Sequence, residues 1–231
     1  MPWITSFSVT SVSFILLALL MTLVASLAMK RHLEAQWPSI GFILLYVAVP
    51  GFLAGTGLLY RFESMPPPAM LLVAVLTLAT IAFALSPLGA RLAAGLGVTT
   101  LIVMQGFRVP VELILHRLYL EGVIPVQMTY AGLNFDIVSG ATAILLGFWL
   151  LQGRSVPPWL LLAWNVLGLA LLAVIVTIAL LSAPVPFRRF TEGPANRLPG
   201  MFPYVWLPTL LVQIALSGHL LLFLELKRRT P

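Results

Sequence analysis

Residues 105–136 read QGFRVPVELILHRLYLEGVIPVQMTYAGLNFD, and how they are divided decides how many times the chain crosses a bilayer. Around them the sequence is nearly continuous hydrocarbon, broken by short Pro, Gly and basic punctuation. The first part, to about residue 120, reads as the end of an amphipathic helix. Residues 123–134 carry Pro125, Gln127, Thr129, Tyr130, Gly132 and Asn134. They are too short and too polar for a further crossing, which takes about 20 apolar residues. They read instead as an outer loop packed over the end of helix four, re-entrant in one version, with Asn134 and Asp136 opening helix five.

The rest of the composition fixes the solvent. The 231 residues are 60% hydrophobic and 9% charged, with a mean hydropathy of +1.05, against about 25% charged in soluble domains. A chain this apolar requires lipid. Its net charge of +6 comes from basic residues that flank apolar runs rather than forming a block, a sign of membrane topology and not of nucleic-acid binding. Cysteine is absent, which excludes disulfides, thiolate metal sites and a cysteine nucleophile. The first residues lack a positive n-region, so the first apolar run is expected to be a retained helix.

The hydrocarbon ruler cuts the sequence into seven spans, at about 9–29, 40–60, 69–85, 91–120, 136–151, 159–182 and 203–226. The expected fold is therefore all-α, a single polytopic bundle of seven transmembrane helices. In the second span Pro50 should kink the helix, and Gly51 with Gly55 makes a small-residue packing face. The turn Ser86-Pro87-Leu88-Gly89 makes helices three and four antiparallel neighbours. Gly140, Ala143 and Gly147 are packing positions on helix five. Asn165 in helix six reads as interhelical glue, and Thr209, Gln213 and Ser217 share one face of helix seven. Glu225 stands three and four residues before Arg228 and Arg229, the spacing of an ion pair.

Basic residues set the orientation. Lys30, Arg31, Arg91, Arg154, Lys227, Arg228 and Arg229 fall on one side, against Arg61, Arg188, Arg189 and Arg197 on the other. Arg108 and Arg117 are set aside. The richer side is cytoplasmic by the positive-inside rule, which puts the N-terminus outside and the C-terminus inside.

Gln105, Arg108, Glu112, His116 and Tyr119 fall within an arc of about 80° on a helix advancing about 100° per residue. They form one polar stripe, and its charged members set it apart in an otherwise greasy chain. Steps of four residues join Arg108 to Glu112 and Glu112 to His116, so an Arg-Glu-His chain is within reach. Arg117 and Glu121 lie off the stripe and have the spacing of an interfacial pair. The apolar part before Arg108 is only about sixteen residues, short for a crossing, so the stripe enters the outer part of the bilayer and faces the bundle interior. The competing reading has helix four project beyond the membrane, with Arg108 snorkelling. Pro110 deprives the Gly106 carbonyl of its helical partner. Asp136 reads either as a first-turn acid favoured by the helix dipole or as a member of the site lying close to Arg108 or His116.

The candidate ligand-binding or proton-relay residues are thus Gln105, Arg108, Glu112, His116, Tyr119, Asn134 and Asp136. No Gly-rich phosphate loop, HExxH or GxSxG occurs. Lys30 and Lys227 both flank spans, which excludes a retinal Schiff base in helix seven. His116 and His219 belong at different depths, which argues against bis-histidine haem ligation. No cofactor and no metal is expected. The expected partners are the bilayer and a small anionic or lipid ligand.

FRVPVELILHRLYLEGVIP at residues 107–125, followed by MTYAGLNFDIVSG at 128–140, resembles a segment of a family of uncharacterised bacterial multi-spanning membrane proteins. The resemblance covers 32 of the 231 residues. It implies a bacterial inner-membrane location and transfers no activity. The expected function is small-ligand or ion binding or transport through a polar site in the outer half. The alternatives are an intramembrane enzyme acting on a lipid or lipid-linked substrate, and a sensor or assembly subunit.

Overall fold

The computed structural model describes residues 1–5, 8–34 and 36–229. Among these the chain is helical, with no strand. Five helices are long and apolar enough to cross a membrane: α1 (Val9–Leu33), α2 (Trp37–Gly55), α4 (Pro87–Leu120), α6 (Pro158–Leu181) and α7 (Leu207–Arg229). Two more, α3 (Pro68–Ala84) and α5 (Asp136–Leu151), are apolar but shorter. The seven helices coincide in order with the seven predicted apolar runs.

Local chemistry explains where they begin and end. Ser8 caps α1 reciprocally with Ser11: the Ser11 N–H donates to Ser8 Oγ at 3.1 Å and the Ser8 N–H to Ser11 Oγ at 2.8 Å. The helix runs on through Lys30, Arg31 and His32 to Leu33, because cations in a last turn suit the negative end of the helix dipole. Helix α2 carries a π-helical turn at Leu44–Ala48 just before Pro50. There the Val47 carbonyl accepts from Trp206 Nε1 of the α6–α7 connection at 3.0 Å, the kind of outside partner that disturbed helical carbonyls require. The expected Gly51–Gly55 face reduces to one contact. A side chain at Gly51 would meet the Trp206 ring, while one at Gly55 would meet nothing.

Helix α4 lies at the centre and packs against α1, α5 and, most extensively, α7. Ser86 caps it, its Oγ accepting from the Gly89 N–H at 3.2 Å. It is not one continuous rod. Gly97 adopts φ 69° and ψ 168° inside it, a conformation open to glycine and strained for other residues. Further along, a 3-10 turn at Gln105–Phe107 precedes the final segment from Arg108. This tightened turn stands where Pro110 removes a helical donor.

Helix α5 starts well inside the bundle. Asp136 meets Arg108, which lies twelve positions before the end of α4, or about 18 Å along the axis at about 1.5 Å per residue. Residues 121–135 therefore fold back down beside α4, burying Ile124, Met128, Thr129 and Asn134. The predicted loop is thus packed into the bundle and not merely laid over it.

Two large apolar cores and a small cluster of Phe62, Ala183 and Val185 fill the interior. One surrounds Phe14, Leu118, Met128, Ile178, Tyr204 and Leu210 at the end of the bundle bearing Glu121. The other surrounds Leu33, Leu92, Ile102, Trp164 and Leu222 at the end bearing Arg229. Large apolar side chains such as Leu16, Leu20, Leu23 and Leu27 on α1, and Leu71, Val75 and Leu78 on α3, stay exposed. Faces so apolar belong against lipid tails.

Candidate functional site

Six of the seven sequence candidates separate into three groups. The largest group is built on Arg108 at the start of the last segment of α4. Its Nε donates to Asp136 Oδ2 at 2.7 Å, and Nη2 donates to Asp136 Oδ1. Nη1 lies 2.7 Å from His219 Nε2 on α7, and Nη2 donates to the Gly168 carbonyl of α6 at 3.4 Å. A guanidinium has donors only, so His219 Nε2 is an acceptor and the ring proton sits on Nδ1. That proton goes to Asn165 Oδ1 at 2.8 Å, and Asn165 Nδ2 donates back to the His219 carbonyl at 3.1 Å. Four helices are joined through one network. Arg108 is 2% exposed, Asp136 5%, and Asn165 and His219 0%.

Gly168 makes this junction sterically feasible. A Cβ placed there would stand 2.3 Å from His219 Cε1. Gly140 does the same for the crossing of α5 over α4, since a Cβ there would meet the Val109 backbone nitrogen at 2.8 Å. The small residues expected on α5 are therefore packing positions against α4.

The second group is Glu112 with Asn134. Asn134 Nδ2 donates to Glu112 Oε2 at 2.6 Å and to the Met128 carbonyl at 3.1 Å. Its Oδ1 accepts the Asp136 N–H at 3.1 Å, capping the start of α5. Among the described residues no ion pair reaches Glu112, although it is 2% exposed. The third group is aromatic. His116 stacks on Tyr130 with centroids 4.5 Å apart and lies 5.9 Å from Tyr119. Its Nδ1 is buried without a hydrogen-bond partner.

The Arg-Glu-His chain along α4 does not form. Each member turns to a neighbouring element instead: Arg108 to Asp136 and His219, Glu112 to Asn134, His116 to Tyr130. The physical reason is strength, because a bidentate charge-assisted pair outweighs the few tenths of a kcal/mol typical of a pair four residues apart on one helix. Arg117 and Glu121 likewise make no ion pair among the described residues; Glu121 Oε1 accepts from the Thr10 hydroxyl and ties the end of α4 to the start of α1. Glu225 takes Arg228 Nε at 2.8 Å and Arg229 Nε at 2.8 Å, as its spacing implies.

Gln105 belongs to none of these groups. Its Nε2 donates to the Ala215 carbonyl of α7 at 3.1 Å, and its Oε1 is buried with no partner. It stands on the wall of a half-open cavity of about 290 Å³ between α1, α2, α3, α4 and α7. The cavity's other polar side chains are Tyr46, Thr80, Gln213 and Ser217, with the indole of Trp37 at one edge, and no Asp, Glu, Lys, Arg or His lines it. Its wall includes the exposed Trp37 and Gly41 of α2, which mark its mouth. Gln105 is the one sequence candidate on this wall.

His219 and the cavity residues of α2, α3 and α7 are absent from the candidate set. Polarity inside a span was the available signal for His219, since a buried imidazole in a membrane requires a partner. Gln213 and Ser217 carried a weaker one, their shared face. No family model matches the chain, and neither a curated protein nor a solved structure matches it.

Proposed function

We propose that this chain is a seven-span protein of the bacterial cell membrane, N-terminus outside and C-terminus inside, that binds a small, predominantly apolar molecule in the cavity between α1, α2, α3, α4 and α7. The seven spans rest on the seven apolar helices, the orientation on the excess of basic residues at the Arg229 end, and the bacterial location on the resemblance of residues 107–140. The observation that carries the binding function is the cavity itself. A volume of about 290 Å³, lined by hydrocarbon with a few convergent polar groups, is the usual build of a small-molecule site.

In this reading the charged stripe is not the ligand site. The Arg108 guanidinium already has Asp136, His219 and Gly168 as acceptors, so no free cation is offered to an anion. The network's role is to hold α4, α5, α6 and α7 in register beside the cavity, with Gln105 one turn from Arg108 on the wall. Glu112 is the acid that remains for proton exchange, bonded to a neutral amide and to no cation.

The test uses Gly41, where an added Cβ meets nothing within 4 Å. Gly41→Phe should fill the mouth without disturbing the fold. Saturable binding of 2-methylnaphthalene, followed by its fluorescence in nanodiscs, is expected for the wild type and lost in Gly41→Phe at unchanged melting temperature. Saturable binding that survives the substitution would sink the cavity reading.

A further inference from the structure

A second hollow, of about 330 Å³, opens between the last turns of α1 and the first part of α4, at the end of the bundle bearing Arg229. Leu27 and Leu96 give it apolar walls, and its polar side chains are Arg31, His32 and Thr100. None of these three makes a hydrogen bond or ion pair among the described residues. Each is left so for a local reason.

Thr22, Thr77 and Thr177 donate to the carbonyl four residues back in their helices. For Thr100 that carbonyl belongs to Leu96, and the non-helical Gly97, at φ 69° and ψ 168°, breaks the helix between them. The hydroxyl is thereby left to the hollow. His32 lies against the bare backbone of Gly95, where a Cβ would stand 2.4 Å from its Nδ1. The two acids at this end, Glu34 and Glu225, face other cations: Glu34 meets Arg91 at 3.9 Å, and Glu225 meets Arg228 and Arg229, each at 2.8 Å. Arg31 therefore has no carboxylate.

What remains is a set of donors. A guanidinium only donates, an imidazole carries at least one N–H, and the Thr100 proton is unspent. No Asp or Glu lines the hollow. Such a set fits an oxyanion with several acceptor atoms, and a phosphate takes an arginine bidentately. The surface of α1 indicates where that phosphate comes from. Leu16, Leu20, Leu23 and Leu27 are exposed, and together with Arg31 they fall within about 80° of one face at about 100° per residue. From Leu16 to Arg31 this face is about 22 Å long, more than the roughly 15 Å that the chains of one leaflet occupy in a hydrocarbon core of about 30 Å. A lipid lying along it brings its headgroup to Arg31 and the hollow.

We infer that the hollow binds the phosphate of an anionic phospholipid, held by Arg31, His32 and Thr100, with an acyl chain along the leucine face of α1. The inference rests on the membrane-spanning reading and is independent of what fills the apolar cavity. A lone basic residue at the end of a span snorkels and attracts anionic lipid by charge alone. Here a hydroxyl and an imidazole converge with the charge on one headgroup.

Native mass spectrometry of the full chain in non-ionic detergent tests this, with phosphatidylglycerol and phosphatidylcholine of the same acyl chains as probes. The wild type should bind phosphatidylglycerol about tenfold more tightly, because the choline ammonium meets no carboxylate in the hollow. Arg31→Gln should remove that preference. Lys30→Gln, which removes the same charge one residue outside the hollow, should keep it. Thr100→Val alters no charge and should weaken phosphatidylglycerol binding about fivefold, the worth of one hydrogen bond. Equal affinities for the two lipids in the wild type overturn the inference, a comparison that requires no variant to fold. Equal losses in Arg31→Gln and Lys30→Gln overturn it as well, since they would show attraction to a basic surface and nothing more. Glycerol phosphate in large excess should leave the bound lipid in place; displacement would assign the hollow to a soluble phosphate and overturn the lipid.

Discussion

Arg108 and Asp136, 28 residues apart in the chain, meet inside the bundle, where Arg108 Nε donates to Asp136 Oδ2 at 2.7 Å and both side chains are almost wholly buried. The pair fixes the depth at which α5 begins. Removing one partner strands a buried charge, which typically costs about 3–5 kcal/mol, whereas replacing both with apolar residues costs far less. Arg108→Ala and Asp136→Ala should therefore each lower the unfolding free energy by about that amount. Arg108→Met with Asp136→Leu should lose less than either single change, with the loss of the His219 Nε2 partner as a remainder of about 1–3 kcal/mol. Unfolding of the purified protein in mixed micelles checks this, and additive single-site losses would refute it.

Gly168 and His219 form the tightest steric relationship in the network. A methyl group at Gly168 would lie 2.3 Å from His219 Cε1, so Gly168→Ala must push the imidazole off both Arg108 and Asn165. Overpacking of this kind costs about 1–3 kcal/mol. In a His219→Ala background the same substitution has room and should cost little. A double-mutant cycle is the measurement; equal costs in both backgrounds would show that the imidazole is not what Gly168 accommodates.

The helical runs could be read from residues 9–226 because hydrocarbon length is a one-dimensional property of the chain. Their ends shifted where local chemistry prevailed: α1 continues through its basic turn, and α2 stops at Gly55, ahead of Gly57 at φ 78°. The site was legible in its members but not in most of its pairings. Helical spacing identifies neighbours on one rod, and it placed Arg108 near Glu112. It carries no information on which other rod lies opposite. The start of helix five on the same side puts Asp136 near Arg108 or His116, but His219 and Gly168 as acceptors of Arg108 depend on packing. The cavity was illegible for the same reason, being a gap left where five helices fail to interdigitate.

Asn134 is a three-way connector, donating to Glu112 and Met128 and accepting from the Asp136 N–H. Asn134→Leu leaves all three groups without it, and a loss of about 1–3 kcal/mol is expected for each buried group that finds no substitute. Glu112→Gln is different in kind. It removes a carboxyl that has no cationic partner and keeps an oxygen that can accept from Asn134, so its stability should match or exceed the wild type. Thermal unfolding of the two variants separates them. A Glu112→Gln protein as damaged as Asn134→Leu would show that the carboxylate charge itself holds the fold.

The absence of cysteine makes the topology testable without background. Ser64, Leu85 and Gln152 are exposed residues in the connections after α2, α3 and α5. With seven crossings and the N-terminus outside, a cysteine at Ser64 should react with a membrane-impermeant maleimide in intact cells. Cysteines at Leu85 and Gln152 should react only after permeabilisation. The two shorter helices make these positions decisive. At about 1.5 Å per residue, the 17 residues of α3 and 16 of α5 reach about 26 Å and about 24 Å, against about 30 Å of hydrocarbon. Each crosses fully only if the bilayer thins locally or flanking residues complete the passage, as residues 121–135 can for α5. Labelling of Leu85→Cys in intact cells would show that α3 turns back, and labelling of Gln152→Cys that α5 does.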